Sequence, residues 1–235
     1  MYEFDFSALL RDGLGMRLLY GFGITLELAA LSLFFALIIG FVVGMAYWSG
    51  GRFVRPVFWL YVEFARNTPA LVQLLFWYFS FALIFPRPVV LIVREYGLAF
   101  VASVLTLTLY HGAFIAEVVR SGLRAVPQSQ YDAARALGFS FIKMMRKVIL
   151  PQAVRISLPS LINETVSLLK NTPLAIAIGV AEMSFQAKYI STYYFRGVEA
   201  LFVVTIVYLI LCGGTSYIGR IFNQRLSQHY KREDT

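Results

Sequence analysis

The sequence predicts an all-α polytopic membrane protein with about five transmembrane helices, since its apolar residues gather into long runs of spanning length. Only 14% of its 235 residues are charged and 59% are hydrophobic, whereas soluble globular domains average about 25% charged. Such a chain has too little charge to cover a water-facing surface. Its basic residues also concentrate in alternate connections between the runs, as topology signals do. The net charge of +8 therefore does not point to nucleic acid, whose binders cluster basic residues on one water-exposed face.

The first run, Ile24 to Tyr47, is too long for the apolar region of a cleaved signal. The residues before it include Glu3, Asp5 and Asp12 rather than a basic start, so the segment is expected to be retained. The second run, Phe58–Phe85, is interrupted by Glu63, Arg66 and Pro69. Its spanning part is expected to reduce to Ala70–Phe85, with the preceding residues at the interface. The third, fourth and fifth runs are Leu98–Val119, Ile156–Met183 and Ala200–Phe222. Helix is the expected state of each, because hydrocarbon offers no partner to free backbone groups and the strict alternation of a barrel is missing. Cys212 is the single cysteine, which excludes an intrachain disulfide and argues against a cysteine-based metal site.

Orientation follows from Lys and Arg. Arg52 and Arg55 lie after the first run, and Arg120, Arg124, Arg135, Lys143, Arg146, Lys147 and Arg155 after the third. The tail holds Arg220, Arg225, Lys231 and Arg232, while the other connections hold only Arg87 and Arg94, then Lys188 and Arg196. The richer set belongs in the cytoplasm, which places the N-terminus outside and the C-terminus inside.

The connection 120–155 is the most informative. Pro127 and Ser129 suit a helix start, Asp132 is expected in the first turn, and Ala133, Ala134 and Ala136 are strong helix formers. Gly138 supplies a stop. A second short helix is expected to place Ile142, Met145 and Ile149 on one stripe and Lys143, Arg146 and Lys147 on the other, ending at Pro151. Two readings stand on physics alone: a helix–Gly–helix that enters a groove on another protein, or a basic loop lying on anionic lipid.

Asp132-Ala133-Ala134, Gly138 and Ile149-Leu150-Pro151 resemble the EAA loop of ABC-importer permeases. Thr25-Leu26-Glu27-Leu28, Phe64-Ala65-Arg66-Asn67-Thr68-Pro69 and Ser167-Leu168-Leu169-Lys170-Asn171-Thr172-Pro173 are similar to the polar amino-acid subfamily, the histidine/glutamine/glutamate importers. Two departures are Asp132 for the usual Glu and Ser129 for a Gly common before Gln130. The resemblance implies a type I ABC-importer permease (MetI-like) architecture. It implies one transmembrane permease domain over residues 1–235 with a coupling loop at about 121–152. It further implies a bacterial inner-membrane protein that is not itself an enzyme and that forms half of a pathway with a second permease subunit, the same or paralogous. Two cytoplasmic ATP-binding subunits would dock on Asp132, Ala133, Ala134, Gly138 and Pro151, and a periplasmic amino-acid-binding protein would deliver substrate. The chain has no GxxxxGK[ST] loop, so ATP and Mg are expected in the partner ATPase, with no cofactor in this chain.

Ionisable residues within spans are functional candidates by default. On a helix, Asn163, Ser167 and Lys170 share one stripe and Glu164 and Asn171 the adjoining one. Glu164 and Lys170 could meet the ammonium and carboxylate of an amino acid, or Lys170 could pair with Glu164, with Glu117 or with the partner subunit. Arg66-Asn67-Thr68-Pro69 and Lys170-Asn171-Thr172-Pro173 are one pattern written twice. Each puts a cation, an amide and a hydroxyl before a proline that frees a carbonyl, as broken helices along a transport path do. Arg66 also suits an interfacial anchor. His111 and Glu117 could instead form a proton relay in an ion-coupled secondary transporter or channel. A chain without paired repeats speaks against that alternative. The cation on the fourth-run stripe favours glutamate, aspartate or glutamine as substrate, whereas Glu27, Glu117 and Glu164 would suit a cationic amino acid.

Overall fold

A computed structural model describes residues 4–7, 9 and 13–231, with side chains described up to residue 225. Glu3, Asp12 and Arg232 of the charged termini lie outside the described residues. The described chain is helical nearly throughout. α1 is Leu14–Ser49, α2 Val54–Asn67, α3 Ala70–Ile84, α4 Arg87–Tyr96, and α5 Leu98–Ala125. α6 is Gln128–Ala136 and α7 Phe141–Met144, followed by a π turn Met145–Ile149 and α8 Leu150–Asn171. A 3₁₀ segment Thr172–Ile178, α9 Met183–Tyr194 and α10 Gly197–Lys231 complete the order.

Three of these helices, α1, α5 and α10, are long and apolar enough to cross a membrane, and the count reaches five if each of two bent pairs forms one span. The five apolar runs thus correspond to helices, but two of them are broken. The second breaks at Thr68-Pro69, between α2 and α3. α3 begins at Ala70, as the reduced span predicts. The fourth run, expected as one helix to Met183, stops being α-helical at Asn171. It tightens into the 3₁₀ segment and ends at Gly179 in the left-handed region. Pro173 enforces that change because it has no N–H to continue the ladder. Both copies of the cation-Asn-Thr-Pro pattern therefore end an α-helix.

The contacts divide the chain into two compact units. One draws on the chain up to Phe35, on Thr68–Leu109 and on Ser167–Gly213. Its core packs Leu14 and Leu18 with Met183, Ile190 and Val204, and Leu28 with Leu74, Leu107 and Ile178. The other draws on Ala36–Asn67, Tyr110–Val166 and the chain from Gly214. Its core packs Leu123 and Val126 with Tyr131, Met144, Met145 and Ile149, and Val43 with Val62 and Ala116. Close approach is built in: a Cβ on Gly122 of α5 would meet Ala153 O at 2.9 Å and would overlap Ser157 Oγ of α8. Many large apolar side chains face outward, Leu83 and Leu209 among them, which suits lipid rather than water.

Candidate functional site

Two features of the second unit carry chemistry, an elbow and a cleft, and both are built on α5. The elbow is α6, Gly138 and α7. Pro127, not Ser129, occupies the position before α6. α6 starts at Gln128, so Asp132 falls in its second turn rather than its first. There Asp132 accepts from Gln128 Nε2 at 3.1 Å and stands 3.9 Å from Arg135. Gly138 stops the helix as expected. Its φ of +70° lets Gly138 N–H donate to Arg135 O (2.9 Å) and Phe139 N–H to Ala134 O (3.1 Å), the paired bonds of a glycine-terminated helix. Ser140 then caps α7 by accepting from Lys143 N–H.

The inner face of the elbow is tied to the unit. Tyr131 donates to Leu123 O at 2.8 Å and stacks on Trp48 at 6.0 Å, and burial raises its phenol pKa above the ordinary value. Ala134, Met144, Met145 and Ile149 are buried with it. The outer face holds Leu137, Phe141 and Ile142 at 73%, 54% and 76% exposure. Ile142 is thus not on the buried stripe with Met145 and Ile149. Met144 takes that place, because the π turn widens the spacing that an ideal helix would impose. Pro151 does not end the helix either. It is the second residue of α8, and the π turn just before it absorbs the ring and the missing donor, so the chain stays helical from Phe141 to Asn171. Asp132 and Ala133 are exposed on the elbow, whereas Ala134 is on its buried face.

The cleft, about 320 Å³ in volume, is lined by Arg66, Phe114, Glu117, Ser157, Ser160 and Glu164 among others. That is within the range of small-molecule sites, roughly 300–1,000 Å³. Arg66 and Glu117, from α2 and α5, thus meet Glu164 from α8. Glu117 is clasped by Arg120, whose Nε donates at 2.8 Å while Nη2 donates to the other oxygen. Arg120 in turn lies over the Tyr47 ring. Glu164 Oε1 stands 2.5 Å from His111 Nδ1. Arg66 stands over the Phe114 ring at 5.4 Å. Among the described residues no carboxylate lies within ion-pair reach of Arg66 or of Lys170.

These distances correct the pairings suggested by the sequence. Lys170 pairs with neither Glu164 nor Glu117. His111 and Glu117 do not form a relay pair, since each is bonded elsewhere. Asn163 and Lys170 are exposed on the chain, while Ser167 and Asn171 are half-buried. Asn171 lines a separate small pocket with Ala70, Leu74 and Thr106 in the first unit. The stripe on α8 is therefore not gathered into one cluster, and Glu164 alone of its members enters the cleft.

A second polar cluster, in the first unit, escaped the sequence reading. Glu182 is fully buried. It accepts from Phe185 N–H at 2.8 Å, from Tyr208 OH at 3.2 Å and from Thr25 Oγ1 at 3.4 Å. Thr25 also accepts from Met183 N–H, and Thr172 Oγ1 is 3.1 Å from Tyr208 OH. The cluster caps α9 and fastens the irregular stretch after Asn171. Its sequence signal was an acidic residue just past Gly179, where a new helix begins.

Residues 18–228 match the family described as binding-protein-dependent transport system inner membrane component. The probable amino-acid ABC transporter permease protein PatM of Vibrio harveyi is 36% identical over 206 residues, covering 87% of this chain and 88% of that protein. The glutamine transport system permease protein GlnP of Escherichia coli K12 is 34% identical, covering 89% and 92%. Among solved structures, an amino acid ABC transporter crystallised with histidines superposes with a TM-score of 0.82 at 30% identity, over 95% of this chain and 100% of that one. The chain belongs to the family of binding-protein-dependent inner-membrane components, as an amino-acid ABC transporter permease of MetI-like fold.

Proposed function

We propose that this permease forms half of an ATP-driven import pathway for polar amino acids and takes its driving force from a separate ATPase docked on the elbow 128–150. The observation that carries the reading is the division of the elbow: its inner face is fixed to the unit, while Leu137, Phe141 and Ile142 stand exposed on the outer side. An apolar tip on a short helical projection matches helix-in-groove recognition. Lys143, Arg146 and Lys147 beside it suit an acidic groove rim. ATP and Mg belong to that partner, and the cytoplasmic placing of the elbow puts the N-terminus in the periplasm and the C-terminus inside. A second permease subunit, the same or a paralogue, completes the pathway, two ATPases serve it, and a periplasmic binding protein delivers the solute.

The cleft is the proposed substrate station. Arg66 offers an unneutralised cation to a carboxylate, Glu164 offers a carboxylate to an ammonium, and Ser160 and Ser121 supply hydroxyls. Complementary charges of this kind orient a zwitterion. Glutamate, aspartate or glutamine is the favoured cargo, and a glutamine permease stands among the relatives beside permeases for arginine and L-cystine. Co-purification with the ATPase encoded beside this chain tests the coupling. Gly138→Val forces a β-branched residue to φ +70° and is expected to abolish capture of the ATPase. Undiminished capture and ATP-dependent uptake in proteoliposomes would overturn the reading.

A further inference from the structure

His111 is fully buried and sits on α5 about one and two-thirds turns before Glu117, with its ring edge-on to Tyr110 at 5.1 Å. Its Nδ1 meets Glu164 Oε1 at 2.5 Å across the α5–α8 contact. Among the described residues no Lys or Arg lies within ion-pair reach of Glu164. Of the other charged groups that line the cleft, Glu117 is bound by Arg120, while Arg66 lies over the Phe114 ring and, among the described residues, has no carboxylate in ion-pair reach.

We infer that His111 is a positioning residue, which holds the Glu164 carboxylate turned into the cleft as the acceptor for the substrate's ammonium group. The inference rests on the reading that the cleft takes an amino acid. A carboxylate has two oxygens and room for several donors. With Oε1 taken by the imidazole, Oε2 is left to the cleft, which Glu164 lines at 14% side-chain exposure. A carboxylate held at one oxygen keeps a single orientation, and the packed ring supplies that bond without adding a competing mobile cation. The substrate's own ammonium then supplies the missing positive partner. Selection of a free α-ammonium is the consequence. An N-acylated amino acid of the same shape is excluded, because its amide brings no charge.

Equilibrium binding of radiolabelled L-glutamine, L-glutamate and L-arginine to the purified permease–ATPase complex tests this, with N-acetyl-L-glutamine as competitor. His111→Phe, which keeps a ring and removes the donor, is expected to weaken binding roughly tenfold, the scale of a lost charge-assisted hydrogen bond. His111→Asn, whose amide can donate from nearly the same point, is expected to restore it to within about threefold. In the Glu164→Gln background His111→Phe is expected to add nothing, since the two act through one bond. Additive losses, or an Asn variant as weak as Phe, would overturn the role of His111. Unchanged binding by His111→Phe alongside a damaged Glu164→Gln would remove this inference and leave the cleft reading standing. Normal binding by Glu164→Gln would remove both, as would a wild-type complex that binds none of the three amino acids. If the Phe variant fails to assemble with the ATPase, His111→Leu enters the same cycle.

Discussion

The elbow and the cleft are built on the same helix and treat their chemistry in opposite ways. The elbow buries its polar and aromatic anchor, Tyr131, and leaves large apolar groups facing out. The cleft commits most of its charges to partners and leaves only Arg66 and one edge of Glu164 to the open space. The first arrangement suits a permanent partner, whose apolar groove supplies what the tip lacks. The second suits a transient ligand, held by few contacts and released. On the proposed reading, affinity is left unsatisfied where a protein would stay, and mostly internalised where a solute would pass.

The strongest way to break this contrast is to make the tip polar. Leu137→Asp with Phe141→Asp is expected to weaken ATPase association at least hundredfold, as for truncated hot spots worth about 2–4 kcal/mol. Its melting temperature in detergent should stay near wild type, because both side chains are exposed. A similar collapse of stability in that assay would mean that the tip is a structural element. Next in size is the α5–α8 crossing that frames the cleft. Gly122→Val drives atoms into Ser157 and Ala153, and overpacking of this kind costs about 1–3 kcal/mol. Thermal unfolding should report it together with loss of amino-acid binding.

Within the cleft, Arg66→Gln is expected to reduce amino-acid affinity about tenfold, and Glu117→Gln less than about threefold, because Glu117 is already engaged by Arg120. Equal losses in a filter-binding assay would show that the committed carboxylate still meets the ligand. The smallest effect is expected at the anchor. Tyr131→Phe removes the bond to Leu123 O and should cost about 1 kcal/mol, visible as a small fall in the denaturation midpoint with ATPase capture retained.

The sequence made the elbow far more legible than the cleft, for a physical reason. Gly138, the alanines and the run lengths act through local backbone energetics, so their consequences sit where the residues sit. Even there Pro151 misled, since a proline is a stop only if the preceding turn keeps its α spacing, and here that turn opens into a π turn. Cleft chemistry depends on partners distant in the chain. His111 and Glu164 are 53 positions apart, and nothing local told Glu164 to choose an imidazole over Lys170. Glu182 gave no signal because a run read as continuous helix up to Met183 offers no helix start beside it to cap.

The π turn before Pro151 has a mechanical consequence. Because it spares the chain a break, Phe141 and Glu164 lie on one rod about 35 Å long, at 1.5 Å per residue. The relative facing of the two ends is therefore set by the number of residues between them. Deleting one residue from Met145–Ile149 would shift that facing by about 100° and turn Glu164 away from His111, with both ends otherwise unchanged in composition.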